Sequence, residues 1–269
     1  AVMGMRVGLD ERPGEVTLQP YVLSYRATLQ VGVTRLPFPA ALAVRSWGTT
    51  LTRGFPSADR HLGDAHVVHG TNYVVPPSKR PRVVSVYDCW ALDNPTATTP
   101  MVNRSMRALQ RAVGDGAVIH ASSHATAESC RRHFPGCEVE VIHLGTPVRH
   151  QHDPTHISRL PISKHQELTL GRPFILSVGT LERRKNFPHL VRSFASMPHT
   201  NDSLLLVIVG GDGDDAESLH AAIDALPGSL ASRVILTGRV DDESLHWLYS
   251  NASVVAYPSL DEGFGFPVL

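Results

Sequence analysis

The sequence predicts an α/β protein built from two Rossmann-like, doubly wound parallel sheets. Three observations carry this. Short runs rich in Val, Ile and Leu, such as Phe174–Val178 and Leu204–Val209, read as strands buried on both faces. In the second half these runs alternate with segments of helical apolar spacing, the pattern of right-handed βαβ units. At 269 residues the chain is long enough for two cores of ordinary size.

Taken in order, Met5–Leu9 reads as a first strand, Gln19–Leu29 as a weakly patterned helix and Pro39–Leu51 as a second helix. Ala65–His69 and Arg82–Tyr87 are apolar enough for buried strands. Asn103–Val113 puts Met106, Leu109 and Val113 on one helical face. Ala117–Ala121 is a strand, after which Ser122 or Ser123 can cap a helix running to His133, since a serine oxygen accepts the open N–H groups of a first turn. Glu138–Leu144 ends the first half at Gly145, which assigns residues 1–147 to an N-terminal domain. Thr146–Arg172 turns to Pro, His, Ser and Thr with little periodicity, so residues 148–171 read as a linker. The domain at 172–269 then runs strand Phe174–Val178, helix Pro188–Met197, strand Leu204–Val209, helix Ala216–Leu226, strand Val234–Leu236, helix Asp242–Asn251 and strand Val254–Tyr257.

Composition narrows the function classes. Twenty-five basic residues balance twenty-five acidic ones, which gives no reason to expect a nucleic-acid partner. The longest apolar runs are too short to span a bilayer, and the first residues lack the layout of a signal peptide, so a cytoplasmic location is expected. Cys89, Cys130 and Cys137 are odd in number and form no Cys-x-x-Cys pair, which points to reduced thiols. His150, His152 and His156 fall in the linker and read as chance spacing among fifteen histidines, so no metal is assigned.

Three stretches carry chemistry. In Val178-Gly-Thr-Leu-Glu-Arg-Arg-Lys-Asn186 a strand ends at Gly179, and Arg183, Arg184 and Lys185 gather before a helix that starts near Pro188. A helix start offers open N–H groups and about half a positive charge; adding these cations makes a diphosphate site that needs no metal. The competing reading is a solvated basic loop. Gly211-Asp-Gly-Asp-Asp-Ala216 fits a dinucleotide fingerprint only superficially, because Asp212, Asp214 and Asp215 would repel a pyrophosphate. A solvated turn capping the next helix is preferred there over a cation-binding Asp-x-Asp. In Tyr257-Pro-Ser-Leu-Asp-Glu-Gly-Phe-Gly-Phe-Pro-Val-Leu269, Pro258 stops the strand and Glu262 stands at its carboxyl end, where open α/β sheets bind ligands. The glycines on either side of Phe264 let backbone approach a ligand closely.

Together the segments Phe174–Asn186, Leu205–Gly211, Val234–Val240 and Tyr257–Pro267 resemble the donor domain of retaining GT-B glycosyltransferases, in the large family (glycosyl transferases group 1) that holds many mannosyl- and glucosyltransferases. The first half is similar through Val67–Pro77, Val83–Asp88 and the turns at Ser122 and Gly145. The resemblance implies two Rossmann-like domains, an acceptor-side one at 1–147 and a donor one at 172–269, incomplete at its end. It implies that Arg184 and Lys185 hold a donor diphosphate, that Glu262 bonds donor sugar hydroxyls, and that Gly179, Gly263, Phe264 and Gly265 present backbone to the donor. Arg239 and Val240 fall where the nucleotide base packs, and Asn72 and Tyr73 on an acceptor-facing loop. Tyr87 and Asp88 stand where the family has His-Asp and, with Glu262, are the implied catalytic residues.

This sequence departs from the family pattern in three places. Tyr87 replaces the histidine, Asp10–Val16 shows no glycine-rich loop, and the family's second glutamate would fall just beyond Leu269. The expected activity is metal-independent transfer of a hexose from a nucleoside-diphosphate sugar to a hydroxyl with retention. No cofactor is implied beyond that donor. The acceptor would be a glycan, lipid or small molecule, and peripheral membrane association is compatible with the sequence. The alternative is a non-catalytic nucleotide-sugar-binding paralogue. The chain ending at Leu269 is expected to carry little activity by itself.

Overall fold

The computed structural model describes residues 16–23, 28–29, 31–49, 56–145, 171–198, 203–265 and 267. The expected strand Met5–Leu9, the loop at 10–15, nearly all of the linker and His150, His152 and His156 lie outside the described residues. The chain divides into two compact units, Ala1–Pro147 and Val148–Leu269.

The first unit opens with β1 (Tyr21–Val22) paired in parallel with β2 (Thr34–Arg35). The helix expected over Gln19–Leu29 is therefore replaced, in its described part, by a strand. Tyr21-Val22 favours extended backbone, and its ladder is completed from a distance by Thr34 and Leu36, which donate to the carbonyls of Pro20 and Val22. Tyr21 Oη also donates to the His69 carbonyl at 3.1 Å. Helix α1 (Ala40–Trp47) ends at Gly48, several residues before the expected Leu51, and buries Ala43, Val44 and Trp47.

A four-stranded parallel sheet follows, β3 (Val68–Gly70), β4 (Arg82–Val86), β5 (Val118–Ala121) and β6 (Val139–Val141), neighbours in that order. Its connections contain α2 (Trp90–Asp93), α3 (Pro100–Gly114) and α4 (His124–His133). Thr99 caps α3, and of the two candidate serines Ser123 caps α4, accepting from Thr126 N at 3.1 Å. Met106, Leu109 and Ala112 of α3 pack with Val84, Val86 and Ile119 of the sheet in one core. Each such large side chain contributes about 1.5–3 kcal/mol on burial.

In the second unit, β7 (Phe174–Val178), β8 (Leu205–Val209), β9 (Val234–Gly238) and β10 (Val254–Val255) form a parallel sheet ordered β10-β7-β8-β9. Its helices are α5 (Phe187–Ser196), α6 (Ala216–Asp224), α7 (Gly228–Ala231) and α8 (Asp242–Asn251). Alternate residues of the central strands feed two cores. Leu205, Val207 and Val209 pack with Phe174, Leu176, Trp247 and Leu248; Leu206 and Ile208 pack with Ile175, Phe187, Val191, Phe194 and Leu219. Helices thus cover both faces, which is why β8 reads as an unbroken apolar run. The order reverses at β7, with β8 on one side and β10 on the other. That reversal is a topological switch point, where diverging connections leave a crevice at the carboxyl ends of the strands. Among the described residues no helix is long and apolar enough to cross a membrane.

Candidate functional site

Two loops meet at this switch point: the one leaving β7 and the one leaving β10. After Gly179 the chain keeps contact with β8, Gly179 N donating to the Val209 carbonyl and Leu181 N to that of Gly211. It then makes a 3-10 turn over Arg183–Lys185 and reaches α5 through Asn186, which sits in the left-handed region at φ 57°. The turn is fixed from outside by Asp214, whose Oδ1 accepts from Arg183 N at 3.0 Å. This corrects the expectation that the aspartates cap the following helix; Asp215 is the residue before α6 and makes no side-chain cap bond.

Three bonds tie the loop after β10 to that turn, and a fourth ties it to β7. Leu260 N donates to the Arg184 carbonyl at 2.8 Å, and Asn186 Nδ2 to the Pro258 carbonyl at 3.2 Å. Arg184 Nη1 donates to the Asp261 carbonyl at 3.1 Å, while Ser177 Oγ on β7 reaches the Ala256 carbonyl at 2.8 Å. Glu262 is thereby brought between the two cations. Its Oε1 lies 2.6 Å from Lys185 Nζ and its Oε2 lies 2.6 Å from Arg184 Nη1. The side chains keep only 10% (Lys185), 15% (Arg184) and 20% (Glu262) of their exposure, so these charge-assisted pairs are largely shielded from water and screened less than surface ion pairs.

Burial alone would raise the Glu262 carboxyl. The Lys185 hydrogen bond, the nearby Ser259 hydroxyl and the charges of Arg184 and Lys185 outweigh it and hold the acid below the ordinary carboxylate range. Lys185 Nζ also stands over the Tyr257 ring, 5.2 Å from its centre. Tyr257 Oη and Ser259 Oγ are buried at this site without a well-formed hydrogen bond. Burial first, then the Glu262 charge, pushes the Tyr257 phenol up.

Glycines shape the floor. The Lys185 stem runs so close over Gly179 that a Cβ there would sit 3.0 Å from Lys185 Cε. A Cβ on Gly210 would fall 1.8 Å from the Gly179 carbonyl oxygen, which no side chain can accommodate. Arg239, from the loop after β9, lies across Gly211, where a Cβ would be 2.7 Å from its Nε. Val240 packs against the Trp247 core. Beyond Glu262 the chain bends at Gly263 and Phe264, and Gly265 takes φ 82°, a conformation that favours glycine. Gly179, Arg184, Lys185, Arg239, Glu262 and Gly263–Gly265 therefore all belong to one sheet edge of the second unit. Glu262 pairs directly with both cations, one carboxylate oxygen to each.

The remaining predicted residues lie in the first unit, also at strand carboxyl ends. The loop after β3 folds back over Gly70, where a Cβ would meet the Val74 carbonyl oxygen at 2.1 Å. Asn72 is exposed, while Tyr73 sits at φ 57° with its N–H on the Ser85 carbonyl. Tyr73 and Tyr87 meet edge to face at 6.1 Å, and Tyr73 Oη accepts from Asp88 N at 3.2 Å. Tyr87 Oη donates to the Thr71 carbonyl at 2.7 Å, and Asp88 Oδ1 accepts from Trp90 N at 3.1 Å, fixing the start of α2. The structure thus brings Tyr73, Tyr87 and Asp88 together. Sequence reasoning missed Asp214 as the clamp of the basic turn and Thr126, whose hydroxyl donates to the Tyr87 carbonyl at 3.1 Å. Among the described residues no group of three or more His, Cys, Asp or Glu is arranged to hold a metal ion.

Fold and site together define a doubly wound α/β protein with paired cations, suited to a diphosphate, at a topological switch point. Known proteins sharpen this. Residues 159–269 match the family described as "Glycosyl transferases group 1". The O-antigen chain mannosyltransferase B of Escherichia coli is 32% identical over 111 residues, which are 41% of this chain and 28% of that protein. The matched part is thus under a third of the relative's length. The crystal structure of WaaG, a glycosyltransferase involved in lipopolysaccharide biosynthesis, covers 99% of this chain and 72% of its own with a TM-score of 0.65 at 18% identity. Anabaena Alr3699/HepE in complex with UDP-glucose gives a TM-score of 0.52 at 22% identity, over 69% of this chain and 48% of that one. The fold is GT-B.

Proposed function

We propose that this chain is the nucleotide-sugar-handling part of a glycosyltransferase that moves a hexose from a nucleoside-diphosphate sugar to an acceptor hydroxyl with retention of configuration. One observation carries the reading: Arg184, Lys185 and Glu262 converge within bonding distance at the switch point of the second sheet. The family match over the same segment and the UDP-glucose bound by a structural neighbour support it. A mannosyl donor is the first candidate, since the matched E. coli relative is a mannosyltransferase.

In this reading the donor diphosphate displaces Glu262 from the two cations. Arg184 and Lys185 then face the charge that grows on the diphosphate as the bond to the anomeric carbon breaks. Glu262, released from them, accepts hydrogen bonds from sugar hydroxyls. Arg239 and Val240 take the nucleotide base, and the backbone of Gly179 and Gly263–Gly265 lines the donor. Asn72 and Tyr73 are proposed to meet the acceptor, and Tyr87, Asp88 and Glu262 to be catalytic residues. The cationic pair removes the need for a bridging metal, so donor binding is proposed to be metal-independent.

The test is a thermal-shift and calorimetric screen of UDP-, GDP- and ADP-sugars with and without EDTA. Binding of one donor class that survives EDTA and is lost in Lys185→Ala fulfils the reading. Binding that EDTA abolishes and a divalent cation restores would move the site to Asp212 and Asp214 and overturn it.

A further inference from the structure

Cys89 and Cys130 are 41 positions apart, yet their sulfur atoms lie 3.8 Å from each other inside the first unit. Both are reduced and buried, at 2% and 0% exposure. Cys89 is the residue before α2, and Cys130 sits in the second half of α4. No role in the chemistry above uses either thiol. Their contact is a hydrogen bond in which one sulfur donates to the other. That bond, with burial, pushes the Cys89 thiol up, and the same bond pulls the Cys130 thiol down against its burial, helped by Arg131. Either sulfur can donate in this contact, and the opposed directions favour Cys130 as the attacking sulfur.

We propose that Cys89 and Cys130 form an oxidisable dithiol, a modification site that a hydroperoxide converts to an intramolecular disulfide. The Cys130 sulfur attacks the peroxide O–O bond and becomes a sulfenic acid, releasing one water. The Cys89 sulfur then attacks Cys130, expels the second water and closes the S–S bond. Two thiols and one hydrogen peroxide give one disulfide and two waters. Access comes from local opening of α2, a single turn held by the N–H groups of Leu92 and Asp93 on the Cys89 carbonyl.

Closing the bond changes more than the sulfurs. An S–S bond is about 2.05 Å long, so the sulfurs must approach by about 1.8 Å from their 3.8 Å contact. Cys89 follows Asp88, which is bonded to Tyr73 Oη and Trp90 N, so the movement reaches the Tyr73–Tyr87–Asp88 cluster and changes the surroundings of Trp90.

The experiment treats the full chain, and separately its Cys137→Ser variant, with hydrogen peroxide under native conditions. Remaining thiols are alkylated after denaturation. Trypsin cuts between the two cysteines at Arg104, Arg107 and Arg111, so a disulfide appears as a cross-linked peptide pair. The proposal expects an intact mass lower by about 2 Da in the variant, no alkylation, a Cys89–Cys130 peptide pair in both proteins, and full reversal by dithiothreitol. Cysteines that stay fully alkylatable, or that gain oxygen singly without a cross-link, overturn it. So does a cross-link in the parent chain that runs to Cys137 and leaves Cys89 reduced.

Discussion

Replacing Glu262 with Gln is the most informative single perturbation, because the side chain keeps its shape and loses its charge. The carboxylate makes two contacts of 2.6 Å to cations that are mostly shielded from water. Charge-assisted bonds contribute about 1.5–3 kcal/mol each, and the amide oxygen retains part of one, so the loss is about 2–3 kcal/mol. For a unit of this size that lowers Tm by roughly 6–12 °C. The effect carries a pH signature. The folded carboxyl is held below its ordinary value, so the unfolded chain binds the proton more readily than the folded one. The stabilisation is therefore complete above the ordinary carboxylate range and disappears as pH falls through the folded value. Calorimetric melts of parent and Glu262→Gln between pH 3 and 8 (in buffers of about 0.1 M ionic strength) should converge at the acid end. A sugar-free nucleoside diphosphate should also bind the variant about 3–10-fold more tightly, since no acid competes for the cations. A variant that melts within a degree or so of the parent at neutral pH, with no pH dependence in the difference, refutes the reasoning.

Other perturbations test separate parts of the account. Lys185→Ala removes one charge-assisted contact and leaves Glu262 facing the diphosphate, so donor affinity should fall about 10–100-fold by isothermal calorimetry. Gly210→Ala drives a Cβ to 1.8 Å from a backbone oxygen and should cost about 3 kcal/mol or more, whereas Gly228→Ala, with nothing within 4 Å, should be neutral or stabilising by about 0.4–1 kcal/mol in the same chemical melts. Ser123→Ala deletes the cap of α4 and should cost about 1 kcal/mol without changing donor binding.

The parts of the fold that could be read from sequence are those whose signal is local. Leu205–Val209 is an unbroken apolar run because both faces of β8 are covered, and Phe174–Val178 and Asp242–Asn251 carry their own boundaries, the latter through the Asp241 cap. The sequence placed both the Arg183–Lys185 cluster and Glu262 just after strands of the same parallel sheet, so their neighbourhood was legible, whereas the adjacency of β7 and β10 came from the structure. The direct ion pairing of Glu262 was not legible, because it depends on the three bonds joining Pro258–Asp261 to the Arg183–Asn186 turn. Tyr21-Val22 was misread because its partner, Thr34-Arg35, lies beyond the window in which helical periodicity is judged. Val67 was assigned to a strand on hydrophobicity, yet it is half-exposed and β3 starts one residue later. The bond of Tyr87 to the Thr71 carbonyl depends on the fold-back over Gly70, which pairwise spacing does not encode.

A crystal structure of the chain soaked with the nucleoside-diphosphate sugar selected by the donor screen tests the central claim most directly. The account predicts diphosphate oxygens on Lys185 Nζ and the Arg184 guanidinium, with Glu262 turned to the sugar hydroxyls. A donor bound elsewhere, with both 2.6 Å pairs to Glu262 intact, would contradict it.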